Sequence, residues 1–372
     1  MKICFVGLDN YPVLARARAA GYIGGESVQQ TLLARGFAEL GWDVATVVKD
    51  HGQPDGEVID GIRVLTAFRP GGGVPGLRFV HPRMTGILGA LRRADADVYY
   101  QSCAGVATGY TAWHAQRTGG RFVFRVAHDT DCRPGEELIP YARDRAIYRW
   151  GLRRANLISA QSERQVADLQ VHYGLESMIF PMLVQLPEPA ELEQPRDIDV
   201  LWVNNLRDFK RPERMLELAR RVPSVNFTMI GGPCADHEAL FERVRAGAES
   251  LPNLDFLGFV PYHEVNPYYA RAKLFVNTSD SEGFPNSFLQ AWVRETPVIS
   301  FFDPDGLIAQ AGLGAVPANL DEMIACVADL LGDTGRLASL GAAARRYALG
   351  THAPTAVAAA HAHAFEALRG DV

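Results

Sequence analysis

Short apolar runs alternate with amphipathic helical stretches along almost the whole chain, and this alternation constrains the fold more than any other feature. The first series runs KICFVGL, VQQTLLARGFAEL, WDVATVVK, DVYYQS, RFVFRVAH and NLISAQS. The second runs VLWVNNL, RPERMLELARRV, NFTMIGG, HEALFERVRAGAES, LDFLGFV, KLFVNTS and PVISFF. Helical stretches between the apolar runs supply the crossovers that parallel strands need, so two similar α/β halves with parallel sheets are predicted. Between them LPEPAELEQPRDID (186–199) holds three prolines and five acidic residues and reads as a linker, with the boundary near Pro187. The expected domains are 1–187 and 188–353, and an Ala-rich helix over 354–372 is expected to pack back on the N-terminal one.

Composition narrows the function classes. With 372 residues, 48% hydrophobic and 22% charged, the chain suits a soluble two-domain protein and excludes collagen, disorder and disulfide scaffolds. The net charge of −6 leaves no global basic field to recruit nucleic acid. Divided at Pro187, the first part carries 21 basic and 18 acidic residues, +3, and the remainder 16 and 25, −9. Five cysteines without a Cys-x-x-Cys pair disfavour zinc and disulfide frameworks and suit a reducing, cytoplasmic setting. No apolar run approaches the ~18–20 residues of a membrane span, and MKICFVGL reads as a first strand rather than a signal peptide.

Ligands of parallel sheets bind beyond the carboxyl ends of the strands, and two facing sheets make a cleft, so segments just after strands are the places to search. Gly21-Tyr-Ile-Gly24-Gly25-Glu26-Ser27 follows the first strand and opens a helix. Its glycines would let backbone approach an anion such as a diphosphate; a plain turn capped by Glu26 or Ser27 explains it equally well. The segment is not GxGxxG, GxxxxGKS or GxSxG, so dehydrogenase, P-loop kinase and hydrolase readings lose their fingerprints. Leu206-Arg207-Asp208-Phe209-Lys210-Arg211-Pro212 follows VLWVNN; cations there can neutralise a diphosphate leaving group, or simply form a solvated basic loop. Asn277 to Trp292 reads as strand end, acidic loop and helix. Asn286 or Ser287 can cap that helix, with Glu282 and Gln290 placed to meet sugar or ribose hydroxyls. A capped loop with a surface acid is the alternative.

The order of a Gly-Gly-Glu loop, then Arg and Lys, then EGFPNSFLQAW followed by TPVIS, resembles the retaining glycosyltransferases of glycosyltransferase family 4 over nearly the whole chain. The resemblance implies a GT-B fold, with two Rossmann-like domains facing across a cleft. The N-terminal one would bind the acceptor and the C-terminal one the nucleotide sugar. The family signature is Glu, seven residues, Glu; here its positions are Glu282 and Gln290. Glu282 is thereby implied to contact donor-sugar hydroxyls and Gln290 the ribose, where an amide replaces a carboxylate but still accepts and donates. Arg207 and Lys210 look like the phosphate-binding pair. Gly24 and Gly25 look like the glycine loop beside the diphosphate, and backbone amides of Phe284, Pro285, Asn286 and Ser287 would complete the cradle. Gly232, in Gly231-Gly232-Pro233, resembles a further loop lining the nucleotide, or is a strand-ending turn. His128, after RFVFRVA, resembles the family's sugar-contacting histidine, able to hydrogen-bond the sugar or help deprotonate an acceptor.

Metal ligands are not expected. Asp-x-Asp occurs at Asp95/Asp97, Asp129/Asp131, Asp197/Asp199 and Asp303/Asp305, a mild excess over chance with one pair in the linker, and His361 and His363 diverge on a helix. Arg145, Arg149 and Arg153 recur every four residues, giving either a cationic face for anionic headgroups or an ordinary solvated face.

The expected activity is metal-independent, retaining transfer of a sugar from a UDP- or GDP-sugar, as substrate rather than cofactor, to a glycan, lipid-linked or small-molecule acceptor. Peripheral contact with the inner membrane face and no nucleic-acid partner complete the reading. An epimerase or phosphorylase on the same fold, or a catalytically silent binding partner, are the alternatives.

Overall fold

Ile3, Cys4, Phe5 and Val6 of β1 (Lys2–Val6) are all buried, so this strand belongs inside a sheet covered on both faces. The computed structural model, which describes residues 1–16, 23–234 and 237–370, places it there. The described chain divides into two compact units, one of residues 1–16, 23–183 and 354–370 and the other within 184–353. It passes from one to the other just before Pro187.

In the first unit β2 (Asp43–Val48), β3 (Val58–Ile59), β4 (Ile62–Thr66), β5 (Val98–Ser102), β6 (Arg121–Arg125), β7 (Leu157–Ala160) and β8 (Met178–Ile179) join β1 in the order β3-β4-β2-β1-β5-β6-β7-β8. All pairs are parallel except β3 with β4, and Ile3 lies opposite Val44 on one side and Val98 on the other. Successive side chains leave a strand on opposite faces. Ile3 and Phe5 accordingly share a core with Leu33 and Phe37 of the helix Gly25–Glu39. Cys4 and Val6 share one with Ile87, Leu91, Ala112 and Ala115 of the helices Thr85–Ala94 and Val106–Thr118. The Ala-rich helix Pro354–Gly370 belongs to this unit: Val357, Ala358 and Phe365 complete the first of these cores, and Phe365 stacks on Phe37 with 5.6 Å between centroids.

The second unit holds β9 (Ile198–Val203), β10 (Phe227–Ile230), β11 (Leu254–Gly258), β12 (Ala272–Asn277), β13 (Val298–Ser300) and β14 (Gly314–Ala315), ordered β11-β10-β9-β12-β13-β14 with every pair parallel. Val200 and Trp202 pack with Met215 and Leu218 of the helix Pro212–Arg221. Strand order reverses between β1 and β5 in the first sheet and between β9 and β12 in the second. Chains leaving the two strands at such a point turn away from each other and open a crevice at the carboxyl ends.

The expected cationic face is corrected by the structure. Arg149 makes a two-pronged pair with the buried Glu137 (Nε to Oε1 2.6 Å, Nη2 to Oε2 2.9 Å), and Arg145 donates to the carbonyl of Ile139. Arg153 lies over the Tyr173 ring at 5.5 Å. Helical spacing did put the arginines on one face, but two of them are spent on the loop before the helix. Burial pushes the Glu137 carboxyl up, yet Arg149, the Gly135 amide and Tyr173 outweigh it and hold it at about 2. Among the described residues no helix is long and apolar enough to cross a membrane.

Candidate functional site

The loop after β9 is anchored by the buried Leu206, turns through Asp208–Lys210, and reaches the helix that Pro212 opens at its first position. The loop after β12 runs from Asn277 to Gly283. Ion pairs and hydrogen bonds stitch the two together. Lys210 Nζ pairs with a carboxylate oxygen of Glu282, which also accepts from Ser279 Oγ at 2.7 Å. Thr278 Oγ1 donates to the Lys210 carbonyl (2.8 Å) and accepts from Trp202 Nε1 (2.9 Å). Asp280 pairs with Arg211 (2.5 Å) and Arg214 (2.7 Å), and its amide donates to the Phe209 carbonyl. Burial raises the Asp280 carboxyl, but these two guanidinium groups more than offset it, leaving it below the usual range. Glu282 is only 7% exposed, so a charged acid is held at a strand end by one lysine and one hydroxyl.

Arg207 belongs to a second cluster in the same crevice. Its guanidinium lies beside the Cys234 thiol, which burial pushes up and Arg207 pulls down. The loop after β10 reaches the same place. The Leu206 amide donates to the Gly232 carbonyl, and a Cβ on Gly231 would lie 2.7 Å from the Asn204 carbonyl, so close loop packing already accounts for the Gly231-Gly232 pair. The basic pair, the acid and the Gly-Gly turn predicted from sequence are thus carried by loops leaving adjacent strands at the reversal of the second sheet.

The segment after Gly283 differs from expectation. Pro285 occupies the N-cap of the helix Asn286–Trp292 and no side chain caps it, so neither Asn286 nor Ser287 has the predicted capping role. Phe284 packs edge-on against Trp292 (6.3 Å) and beside His352 (5.5 Å), as a hydrophobic anchor for the loop. Gln290 is buried, and its Nε2 donates to Asn266 Oδ1 at 3.3 Å. Asn266 and Asn204 escaped the sequence reading, which took Asn277 only as a strand end. Asn204 and Asn277 end or follow β9 and β12, and each buries an Nδ2 without a partner.

In the first unit Gly24 is the N-cap of the helix Gly25–Glu39, in extended conformation; Gly21 lies outside the described residues. Glu26 is more than the turn cap considered above. Its carboxylate accepts from Ser102 Oγ (2.7 Å) and from Gln30 Nε2, and Gln30 accepts from Asn10. This polar network joins the carboxyl ends of β1 and β5, the reversal point of the first sheet. Burial raises the Glu26 carboxyl to about 7 against the hydrogen bonds from Ser102 and Gln30. The Ser102 that completes the network stands 76 residues away, a pairing that no local motif encodes.

His128 caps the turn Asp129–Cys132: its Nδ1 accepts from the Thr130 amide at 3.2 Å, while Asp131 Oδ2 accepts from the His128 and Ala127 amides. An accepting Nδ1 leaves the proton of the neutral ring on Nε2, which suits hydrogen-bond donation and not the removal of an acceptor proton. The Asp-x-Asp carboxylates are likewise employed locally. Asp95 pairs with Lys2, Asp197 with Arg271, Asp199 with Lys273, and Asp303 accepts from the Ile308 amide. Among the described residues no three His, Cys, Asp or Glu come together as a metal-holding group. His361 is buried and His363 exposed, as their spacing requires.

Comparison with known proteins follows the same division. Residues 24–177 match the glycosyl transferase 4-like domain, and residues 198–333 match the glycosyl transferases group 1 family. A D-inositol 3-phosphate glycosyltransferase of Mycobacterium sp. (strain JLS) is 26% identical over 170 residues, 45% of this chain and 39% of that protein, so the match spans well under half of the curated relative. Sucrose-phosphate synthase from Thermosynechococcus elongatus superposes with a TM-score of 0.79 at 17% identity, covering all of both chains. HepE of Anabaena, solved in complex with UDP-glucose, superposes with a TM-score of 0.74 at 14% identity, over 99% of this chain and 100% of that one. With a family match on each parallel-sheet unit and GT-B neighbours along the full length, the chain belongs to the group 1 glycosyltransferases of glycosyltransferase family 4.

Proposed function

We propose that this chain transfers a sugar from a nucleoside-diphosphate sugar to an acceptor hydroxyl, with retention at the anomeric carbon and without a metal ion, in polysaccharide, glycolipid or other glycoconjugate synthesis. The observation that carries the reading is the gathering of Arg207, Lys210 and Glu282 on loops at the reversal of the second sheet. The chemistry needs stabilisation of charge growing on the departing diphosphate. A guanidinium fork and an ammonium held at the strand end would supply it.

Lys210 is the hinge of this account. Its ammonium is paired with Glu282. A donor diphosphate would share the ammonium, and the Glu282 carboxylate would then accept from donor-sugar hydroxyls that replace part of the lysine's donation. Gln290, held by Asn266, would present its remaining amide oxygen to the ribose. The neighbour solved with UDP-glucose favours a UDP-sugar, with a GDP-sugar as second choice. Local employment of the Asp-x-Asp carboxylates in ion pairs and turns supports a metal-independent mechanism. The acceptor is a glycan, a lipid-linked sugar or a small molecule, met in the cytoplasm or at the membrane's inner face. The test is product analysis with donor and a panel of acceptors. Glycoside formation matched by release of nucleoside diphosphate supports the reading, whereas sugar phosphate or an epimerised donor as product assigns the chain to another class.

A further inference from the structure

The first unit carries a feature that donor chemistry does not use. The helices Thr85–Ala94, Val106–Thr118 and Ala142–Leu152 border a cavity of 490 Å³ whose walls include Leu88, Tyr110, Trp113, Ile147 and Trp150. Gly109 and Gly151 bring the second and third helices into backbone contact, since a Cβ on Gly151 would lie 2.7 Å from the Gly109 Cα. Along the third helix, Arg143, Ala146, Ile147 and Trp150 follow the three-and-four spacing of one face, a face different from that of Arg145 and Arg149.

Two observations bear on what the cavity can hold. Tyr110 is only 7% exposed, yet its hydroxyl has no hydrogen-bond partner in an otherwise apolar wall. The charged groups whose field reaches that hydroxyl are Asp144, Arg143 and Arg83. Asp144 pairs with Arg143 at 2.8 Å, and the Arg143 guanidinium lies over the Phe79 ring at 3.4 Å, whereas Arg83 is exposed and forms no ion pair among the described residues, so two arginines stand against one acid there. Further cations are held at the aromatic walls, Arg154 over Trp150 at 4.0 Å and Arg117 over Trp113 at 4.7 Å. The segment that leads into the cavity residue Met84 also exposes Val74 (64%), Leu77 (66%) and Val80 (47%). A soluble amphiphile inside the cavity would leave those three in water; a bilayer would cover them.

We propose that this cavity receives an acyl chain of an anionic membrane lipid, with Arg83 and Arg143 meeting the headgroup phosphate, so that this face of the first unit docks on an anionic bilayer. The proposal deepens the membrane-contact part of the proposed function and is independent of the donor site. It relocates the contact from the internally paired Arg149 to Arg143, on another face of the same helix, and to Arg83, in the segment before the helix Thr85–Ala94.

The experiment is co-sedimentation of the full chain with vesicles of phosphatidylglycerol or of phosphatidylcholine. Binding to phosphatidylglycerol should exceed binding to phosphatidylcholine roughly tenfold or more, and Arg83→Glu with Arg143→Glu should remove that advantage, since each cation near an anionic surface contributes several-fold. Ala146→Trp, which fills the cavity from an exposed position, and Leu88→Trp should each weaken binding with the arginines intact; thermal melting identifies any variant that fails to fold, and the charge pair then decides. Equal binding to both vesicles, no binding, or binding unchanged by correctly folded filling variants would overturn the proposal. Self-association abolished by Ala146→Trp in place of vesicle binding would also overturn it, by assigning the face to a second copy. Nucleotide-induced stabilisation measured on the same samples separates a failed docking surface from a failed donor site.

Discussion

Lys210 and Glu282, 72 residues apart in sequence, form an ion pair that ties the loop leaving β9 to the loop leaving β12. Both side chains are largely buried, so each charge depends on the other for its solvation. Lys210→Met therefore leaves Glu282 with Ser279 as its remaining side-chain partner shown, and should destabilise the second unit by about 3 kcal/mol, in the range for breaking a buried pair. Adding Glu282→Gln removes the orphaned charge and should restore most of the melting temperature without restoring transfer. Thermal melting and turnover of the single and double variants check both statements; a single variant as stable as wild type would contradict the pairing.

Glu26 gives the first unit a pH signature. Its carboxyl, raised by burial to about 7, binds a proton more tightly in the folded chain than in the unfolded one, where it stands near 4.5. Its contribution to stability is thus fully present below about pH 4.5 and is lost as pH rises through about 7. Glu26→Gln, which carries no charge at any pH, should melt above wild type at pH 8 and close to it at pH 4.5. A constant difference across that window would mean that the carboxyl is not displaced.

The terminal helix should be integral to the first unit. Phe365 is fully buried and stacked on Phe37, so Phe365→Ala should cost about 3–5 kcal/mol, the usual range for emptying a core aromatic site. Calorimetry with two resolved transitions would assign the loss to the first unit. A loss confined to the second would contradict the packing described.

Gln290 should bind as an amide. One N–H of its Nε2 is bonded to Asn266, so under the proposed function Oε1 is the acceptor left for a ribose hydroxyl. Gln290→Leu removes that acceptor and should weaken nucleotide binding about tenfold, as expected for one lost hydrogen bond in a desolvated site. Gln290→Glu, which keeps an acceptor, should stay nearer wild type. Titration calorimetry with the nucleoside diphosphate reads both.

Metal independence predicts that transfer activity survives EDTA. A complete loss restored by a divalent ion would contradict it, and the Asp-x-Asp pairs would then be reconsidered first.

Much of this architecture is legible in the sequence because burial writes itself locally. The unbroken apolar run at Ile3–Val6 identifies a strand covered on both faces, and chemistry-bearing loops follow such strands at Arg207 and at Glu282. What the sequence does not carry is which distant partner claims a charge. Arg149 reads as part of a cationic face until Glu137 is seen beneath it, and Glu26 reads as a cap until Ser102 arrives from β5. Asn286 illustrates a local failure: a good capping residue stands at the right place, but Pro285, with its fixed φ, already occupies the N-cap. The unpartnered Nδ2 groups of Asn204 and Asn277 are not visible in any local pattern, and only their burial at strand ends makes them conspicuous.

The central claim is that the crevice at the reversal of the second sheet holds a nucleoside diphosphate on Arg207 and Lys210. It is tested most directly by a thermal-shift screen of UDP, GDP, ADP, TDP and CMP against the wild-type chain and against Arg207→Ala and Lys210→Ala, because a ligand that binds only the folded state raises its stability. The account predicts a shift selective for one diphosphate, UDP or GDP, that falls in both variants by an amount consistent with about 2 kcal/mol of lost charge-assisted contact. No shift with any nucleotide, or a shift undiminished in both variants, would contradict it.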